Sequence, residues 1–208
     1  MPASNDREYR NILVSNLETR EEDDGSMIVD GYATTFNQRY VLYDFGDYMV
    51  DEEIAPEAFD DADTSDVIMQ YNHEGHVYAR NRNGTLELNA DSHGLHIRAR
   101  LDGTEIGRRL YQEIKGGYTD KMSFGFTVAK DERKTEEDHE HNRIIVHRRI
   151  TAIKKLYDIS AVSIPANDAT EISARRYGDG VIAEIEAERL AAEQRERRIA
   201  IIKLQTEV

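Results

Sequence analysis

Three residues carry side chains that together could perform nucleophilic catalysis: Ser123, His73 and Asp158. A serine hydroxyl is a weak nucleophile at neutral pH, so it needs a base in hydrogen-bond contact and a third group that holds this base in one tautomer. Ser123 precedes Phe124 and begins a segment in which Phe124 and Phe126 lie on one face of a predicted strand and Ser123 on the other. Taken singly each residue stays ambiguous, because most strand serines and most lone histidines are structural.

The surroundings of the three residues fit this chemistry. His73 follows the apolar segment 66–71, a predicted buried strand, so its imidazole can reach a neighbouring strand. Asp158 lies in the mainly apolar stretch 156–164, where a carboxylate is costly to bury unless an imidazole or an arginine accompanies it. Gly125 is on the face of Ser123, and we expect its missing side chain to let a substrate backbone approach closely.

The sequence gives little support for a metal site, a nucleotide site or cysteine chemistry. His73 and His76 are three residues apart, whereas the zinc-protease helix motif needs a spacing of four. The chain has neither a Walker loop nor a strand-linked GxGxxG motif for nucleotides. It has no cysteine, which excludes disulfides, cysteine nucleophiles and thiolate metal sites. We therefore expect no cofactor and no metal.

The charge balance narrows the class of partner. The 208 residues include 41 acidic and 27 basic side chains, a net charge of −14, which argues against non-specific nucleic-acid binding and against docking on an anionic membrane. No apolar run approaches the roughly 20 residues that cross a bilayer, and the first residues have no apolar signal region. We expect a soluble cytosolic protein.

The elements that position these residues are mostly strands. The clearest alternation of apolar and polar residues is at 95–101, and an apolar residue at every fourth position predicts a helix between Thr104 and Gly116. Further strands are predicted at 12–17, 27–36, 66–71, 85–88, 123–128, 144–150 and 153–164, and a short helix at 55–59. Residues 130–143 are almost wholly polar and predict an exposed hairpin loop, and residues 181–205 predict an appended helix.

This pattern predicts an α+β, mainly β fold, with a closed or sandwiched arrangement of short strands flanked by helices. We divide the chain into an N-terminal polar segment with a strand (1–26), a central domain (27–175) and a C-terminal helical appendage (176–208).

Five segments resemble, in order and spacing, the motifs of the prohead (capsid maturation) proteases of tailed bacteriophages, the HK97-type serine peptidases. They are Tyr71-Asn72-His73-Glu74, Asn83-Gly84-Thr85-Leu86-Glu87-Leu88, Asp91-Ser92-His93-Gly94-Leu95, Lys121-Met122-Ser123-Phe124-Gly125-Phe126 and Asp158-Ile159-Ser160-Ala161-Val162-Ser163-Ile164-Pro165-Ala166-Asn167. The resemblance covers about residues 28–170, and it departs from the family at Asp158, where the family often has Glu.

The resemblance implies specific roles. Ser123 would be the nucleophile, His73 the general base and Asp158 the group that orients the imidazole. The family fold is similar to that of herpesvirus assembly proteases, so a closed β-barrel flanked by helices is expected. The implied activity is a serine endopeptidase inside the phage procapsid, in the host-cell cytoplasm, with the major capsid protein or the scaffolding protein as partner, and with self-cleavage and a homodimer as further expectations.

Two other interpretations stay open. A non-catalytic scaffold or assembly protein would keep a protease-like fold while Ser123 and His73 lie too far apart to react. An unrelated acidic β-barrel that serves as a binding module would have no shared site, and substitution of either residue by alanine would change no activity.

Overall fold

The computed structural model describes residues 6–12, 17–163 and 168–206. In these ranges the chain forms eleven strands, two α-helices and two short 3-10 helices. The strands are β1 (Glu8–Ile12), β2 (Glu18–Glu21), β3 (Met27–Thr35), β4 (Tyr40–Asp44), β5 (Tyr48–Ile54), β6 (Ile68–Tyr71), β7 (Glu74–Arg80), β8 (Leu86–Ala90), β9 (Gly94–Arg100), β10 (Lys121–Asp138) and β11 (Arg143–Val162). The α-helices are α1 (Glu105–Lys115) and α2 (Asp168–Thr206), and the 3-10 helices are Pro56–Phe59 and Asn81–Asn83.

The strands form two sheets. A four-stranded antiparallel sheet has the order β2-β3-β9-β8. The larger sheet has seven strands and branches along β11, which pairs with β10 on one side and, on the other, with β5 near its start and β6 near its end, both in parallel. β1 pairs with β10, β4 with β5 and β7 with β6.

The fold class is confirmed as mainly β with two helices, but the predicted closed barrel is wrong, because neither sheet closes on itself within the described residues. A barrel requires the first and last strands of one sheet to pair. Here the long strand β11 pairs with two different partners along its length, so the sheet forks instead of curling into a ring.

One hydrophobic core receives side chains from both sheets. β3 and β9 of the smaller sheet contribute Val29 and Ile97, and β10 and β11 of the larger one contribute Phe124, Phe126 and Ile159, all buried. The two phenylalanine rings stack with centroids 4.6 Å apart. This packing fixes which face of β10 is internal and therefore directs Ser123 to the opposite face.

The predicted helix is confirmed as α1. Thr104 is its N-cap, and the threonine Oγ1 accepts a hydrogen bond from the Gly107 N–H at 3.0 Å, as an N-cap side chain does. The short helix predicted at 55–59 is a 3-10 helix, with Pro56 tolerated in its first turn. The predicted strand 12–17 falls largely on residues 13–16, which lie outside the described residues.

The polar segment 130–143 was expected to be a loop, and this prediction is wrong for most of its length. β10 continues to Asp138, and β11 begins at Arg143, so that the loop is only 139–142. Opposed pairs such as Glu136 with Ile145 and Lys134 with His147 continue the ladder. Residues 130–138 of β10 pair with β11, and residues 144–150 of β11 pair also with β5, so the polar segment of β10 satisfies its backbone hydrogen bonds without an apolar pattern.

The chain divides into two units, the first ending at Ala174 and the second beginning at Arg175. The second unit is helical through Thr206, as part of α2, and this helix includes the segment 181–205 that was predicted to be helical. No helix in the described ranges is long and apolar enough to cross a membrane.

Candidate active site

Two neighbouring strands carry Ser123 and Asp158 to one face of the larger sheet. In the antiparallel ladder of β10 and β11, Ser123 is opposite Ser160 and Gly125 is opposite Asp158. Directly opposed residues project to the same side of a sheet. Ser123, Asp158 and Ser160 therefore share the face that points away from the core residue Phe124.

His73 reaches this face from a tight hairpin. β6 and β7 are joined by only two residues, Asn72 and His73, whose φ angles are 52° and 62°. Positive φ at both central residues is the geometry of a type I′ turn, one of the two favoured turns of two-residue hairpins, and asparagine and histidine tolerate it better than most residues. Since β6 lies beside β11 and the Asn72 N–H donates to the Ala161 carbonyl at 3.1 Å, the turn ends directly over the site.

The three side chains connect in series. His73 Nδ1 is 2.5 Å from Asp158 Oδ2, and His73 Nε2 is 2.5 Å from Ser123 Oγ. Because a carboxylate only accepts, Nδ1 carries the hydrogen and donates to Asp158, which leaves the Nε2 lone pair to accept from the Ser123 hydroxyl. The side chains of His73 and Asp158 are 4% and 1% exposed, and Ser123 is fully buried, so these contacts are shielded from water.

Ser160 is a fourth member of the site, and its role was not predicted from the sequence. Its hydroxyl donates to Asp158 Oδ2 at 3.1 Å, and its oxygen accepts the backbone N–H of His73 at 3.2 Å. It thereby ties the hairpin turn to the strand that carries the carboxylate. The one available signal is its position two residues after Asp158, which places both on one strand face.

Gly125 has a different role from the one expected. A Cβ atom built on it would lie 2.4 Å from Asp158 Oδ1 and 2.9 Å from Tyr9 Cε1. The space above Gly125 is therefore filled by the carboxylate and by a tyrosine of β1, and is not open to a substrate backbone. Glycine is required here because any side chain would displace Asp158.

The other histidines take no part in this arrangement. His76 is exposed on β7, and at the tip of the β10–β11 arm His141 and His139 pair with Asp138 and Glu137 respectively. Among the described residues, no three or more His, Asp or Glu side chains are grouped so as to hold a metal ion.

A hydroxyl, an imidazole and a carboxylate in this order define a site of the serine-nucleophile class. The imidazole is placed to take the hydroxyl proton as Oγ attacks a carbonyl carbon, and the carboxylate is placed to stabilise the imidazolium that results.

Comparison with known proteins agrees with this class. Residues 15–181 match the model of the family described as caudovirus prohead serine protease, and the chain belongs to this family. It is similar to the prohead protease of Enterobacteria phage HK97, at 30% identity over 177 residues that cover 83% of this chain and 71% of that protein. A comparison of structures pairs 74% of this chain with 98% of the capsid assembly protease of bacteriophage T4, at 10% identity and a TM-score of 0.38.

Proposed function

We propose that this chain is a serine endopeptidase that cleaves the scaffolding protein, or a scaffold-like segment of the major capsid protein, as a phage procapsid matures, and that it also cleaves itself. Membership of the prohead serine protease family supports the reaction class. The observation that carries the proposal is the unbroken series from Ser123 through His73 to Asp158, with two contacts of 2.5 Å.

In the proposed reaction Ser123 Oγ attacks the scissile carbonyl carbon while His73 Nε2 takes its proton. The same imidazole then gives this proton to the leaving amine. In the second half of the reaction His73 takes a proton from a water molecule that attacks the acyl-enzyme, and it returns this proton to Ser123 Oγ. Asp158 keeps the imidazole in the tautomer that this sequence needs. Ser160 forms hydrogen bonds with both Asp158 and the backbone N–H of His73, and these bonds keep the base directed at the nucleophile.

We place this activity inside the procapsid, in the host-cell cytoplasm, since the HK97 relative is named a prohead protease. The partners in this proposal are the major capsid protein, the scaffolding protein and a second copy of the chain in a homodimer, with neither nucleic acid nor membrane. The domain division is also a proposal: protease domain 27–175, N-terminal segment 1–26 and helical appendage 176–208. A net charge of −14 helps the chain to stay unaggregated within a crowded shell.

The second unit has a proposed role in packaging. Its helix exposes apolar side chains, among them Leu190, Ile199 and Ile201, each about half exposed or more. Apolar surface on a helix that its own chain leaves exposed favours contact with another helix. We propose that this part of α2 binds the scaffold-like segment and brings the protease into the procapsid, and that self-cleavage later removes it.

The alternative of a non-catalytic assembly protein expects Ser123 and His73 to lie too far apart to react. Their separation of 2.5 Å favours the catalytic proposal over it. The binding-module alternative expects no shared site, whereas these residues converge from three separate strands or turns.

The test is co-expression with the capsid protein and scaffold of the same phage, read by intact mass. The wild type is expected to shorten its partner or itself, and Ser123→Ala to leave every chain at full mass. Ser65→Ala is the matched control, because Ser65 lies in an exposed turn where it bonds Asp63, and it should process like the wild type. Intact partners with the wild type, in procapsids that contain the protein, would refute the proposal.

A further inference from the structure

β1 lies beside the strand of the nucleophile, ahead of the part of the chain that matches the family. It is an edge strand of the larger sheet and pairs with β10, placing Tyr9 opposite Gly125 and Asn11 opposite Ser123. The match to the family begins at residue 15, so β1 lies outside it. Alternation along β1 sends Glu8 and Arg10 to one face of the sheet and Tyr9 to the other, the face of the candidate active site.

The core-side residues of β1 lock it to the sheet through a buried ionic cluster, which we define as Glu8, Arg10, Glu52 and Arg148. Arg10 donates from Nε and Nη2 to the two carboxylate oxygens of Glu52, at 2.6 and 2.9 Å. Arg148 Nη1 donates to both Glu8 and Glu52 at 2.7 Å. All four residues are at least 94% buried. These charge-assisted hydrogen bonds therefore fix the position of β1 relative to β5 and β11.

On the other face, Tyr9 packs against the imidazole of His73. The two ring centroids are 4.6 Å apart and the planes are inclined by 63°, an edge-to-face pair. Tyr9 Cε1 also occupies the space beside Gly125 and Asp158. His73 is at the tip of a two-residue turn whose backbone is held to β11, and the contact with Tyr9 limits the rotation of its imidazole ring.

Arg7 adds a second contact from the same segment. Its guanidinium lies 3.9 Å from the centroid of the Tyr157 ring, and Nη1 is 3.8 Å from Asp158 Oδ1 and 3.4 Å from the Tyr9 hydroxyl oxygen. Oδ1 is buried and accepts no hydrogen bond from any described residue. A positive charge at this distance attracts the carboxylate of Asp158.

We propose that β1 completes the active site and that Tyr9 is the positioning residue that holds the His73 imidazole in line between Asp158 and Ser123. This inference rests on the proposed function, because it assigns Tyr9 a part in the same reaction. In this role Tyr9 acts through the imidazole of His73.

The test compares Tyr9→Leu and Tyr9→Phe in the full chain by the rate at which a fluorophosphonate modifies Ser123. In this reaction the Oγ–P bond forms, fluoride leaves, and the hydroxyl proton passes to His73. Loss of the ring in Tyr9→Leu is expected to lower the second-order rate constant about 10- to 100-fold, since small displacements of a base have effects of this size. Tyr9→Phe, which keeps the ring, should stay within about threefold of the wild type.

Tyr32→Leu is the matched control, because Tyr32 makes the same kind of edge contact with His93, at 4.6 Å, on the smaller sheet. It should label at the wild-type rate. Thermal unfolding of each variant identifies any that fails to fold. A folded Tyr9→Leu protein that labels as fast as the wild type overturns the inference, and so does a Tyr9→Phe protein as slow as Tyr9→Leu.

A second readout separates this inference from the proposed function. The proton between His73 Nδ1 and Asp158 gives a far-downfield NMR signal, and no substrate is needed to observe it. The signal should be sharp in the wild type and Tyr9→Phe, and broadened by exchange with water in Tyr9→Leu. If the wild type shows this signal but no adduct at Ser123, the proposed function fails while the positioning of His73 stands. If the signal is absent from the wild type, or unchanged in Tyr9→Leu, the positioning role itself is refuted.

Discussion

At the scale of single residues, the site depends on the unequal use of the two oxygens of Asp158. Oδ2 accepts from both His73 and Ser160, whereas Oδ1 lies over Gly125 with Arg7 at 3.8 Å. The Ser160 hydroxyl thus orients the carboxylate through Oδ2, and the missing side chain of Gly125 leaves the space that Oδ1 occupies. We expect both features to affect the proposed catalysis more than the stability of the fold, because they act on the direction of one bond to the imidazole.

Asp158→Asn should lower activity steeply without unfolding the chain. An amide can still accept from Ser160, but its NH₂ group favours the wrong tautomer of His73, and we expect the rate of Ser123 modification to fall about 10³- to 10⁴-fold. Asp63→Asn is the matched control, since Asp63 forms an exposed pair with Lys155 and its loss should leave the rate unchanged. A rate for Asp158→Asn within a few fold of the wild type would contradict the role given to this carboxylate.

Gly125→Ala should also inactivate, through the added Cβ. That atom would lie 2.4 Å from Asp158 Oδ1, so the carboxylate must move and its bond to His73 must lengthen. We expect a loss of about 100-fold or more in the modification rate. Gly103→Ala is the control, because nothing lies within 4 Å of a Cβ there. Equal activity of the two alanine variants would show that the site tolerates displacement of Asp158.

The sequence could predict Ser123, His73 and Asp158 as candidates because each stands out locally: a serine opposite aromatic residues, a histidine after an apolar strand, a carboxylate in an apolar stretch. Their roles came from the resemblance to a family. Ser160 and Tyr9 were out of reach, because their contacts depend on the register between β1, β10 and β11. A short turn can set the register of the strands it joins, but β1 and β10 are far apart in the sequence, so no turn or local pattern gives their register.

At the scale of elements, the buried ionic cluster determines where β1 can lie. Burial alone would raise the pKa of the Glu52 carboxyl, but the nearby Arg10 and Arg148, with hydrogen bonds from Arg10 and Tyr40, hold this pKa at about 2, below its ordinary 4.5. Burial also raises the pKa of the Glu8 carboxyl, but the charges of Arg10 and Arg148 and a hydrogen bond from Arg148 leave this pKa below its ordinary value. The folded chain therefore keeps both carboxylates ionised where the unfolded chain takes up protons.

This pKa shift predicts acid sensitivity. The contribution of Glu52 to the free energy of unfolding is complete above its unfolded pKa near 4.5, and it declines as the pH falls towards the folded value of about 2. Glu52→Gln should cost about 3–5 kcal/mol at neutral pH, because it leaves two arginines incompletely paired, and this cost should shrink between about pH 5 and pH 3. Urea titrations at several pH values measure it.

Glu57→Gln is the control for this series, since Glu57 is exposed in the 3-10 helix Pro56–Phe59. It should follow the wild type across the whole pH range. If the wild type and Glu52→Gln have the same dependence of unfolding free energy on pH, the cluster does not hold Glu52 ionised.

Element type was predictable where the chain is amphipathic, as in β9 and α1, and not where it is polar throughout. Residues 130–138 of β10 are polar and mostly exposed, so this part of the strand has no apolar face for the sequence to reveal, whereas its partner in β11 is apolar enough to be predicted as a strand at 144–150. The prediction of a closed barrel was wrong for a related reason. Local alternation identifies strands but does not determine that β11 pairs with both β5 and β6.

At the scale of the whole molecule, a compact unit carries the candidate active site and a second, helical unit follows it from Arg175. The proposed packaging role of the second unit predicts that Leu190→Gln combined with Ile199→Gln lowers the number of protease copies per procapsid several-fold. Gln is a good helix former, so helix content should persist. Ala191→Gln, a change to the same residue type beside Leu190, is the control and should package normally. Equal copy numbers, measured by quantitative mass spectrometry of purified procapsids, would contradict the packaging role.

The most direct test of the central claim is to locate the residue that a fluorophosphonate modifies in the purified chain. The account predicts one adduct, at Ser123, that is absent from Ser123→Ala and formed far more slowly by His73→Ala, although both variants remain folded. Modification of the wild type at another residue, or an adduct at Ser123 that forms equally fast without His73, would contradict the claim that these side chains work together as the active site.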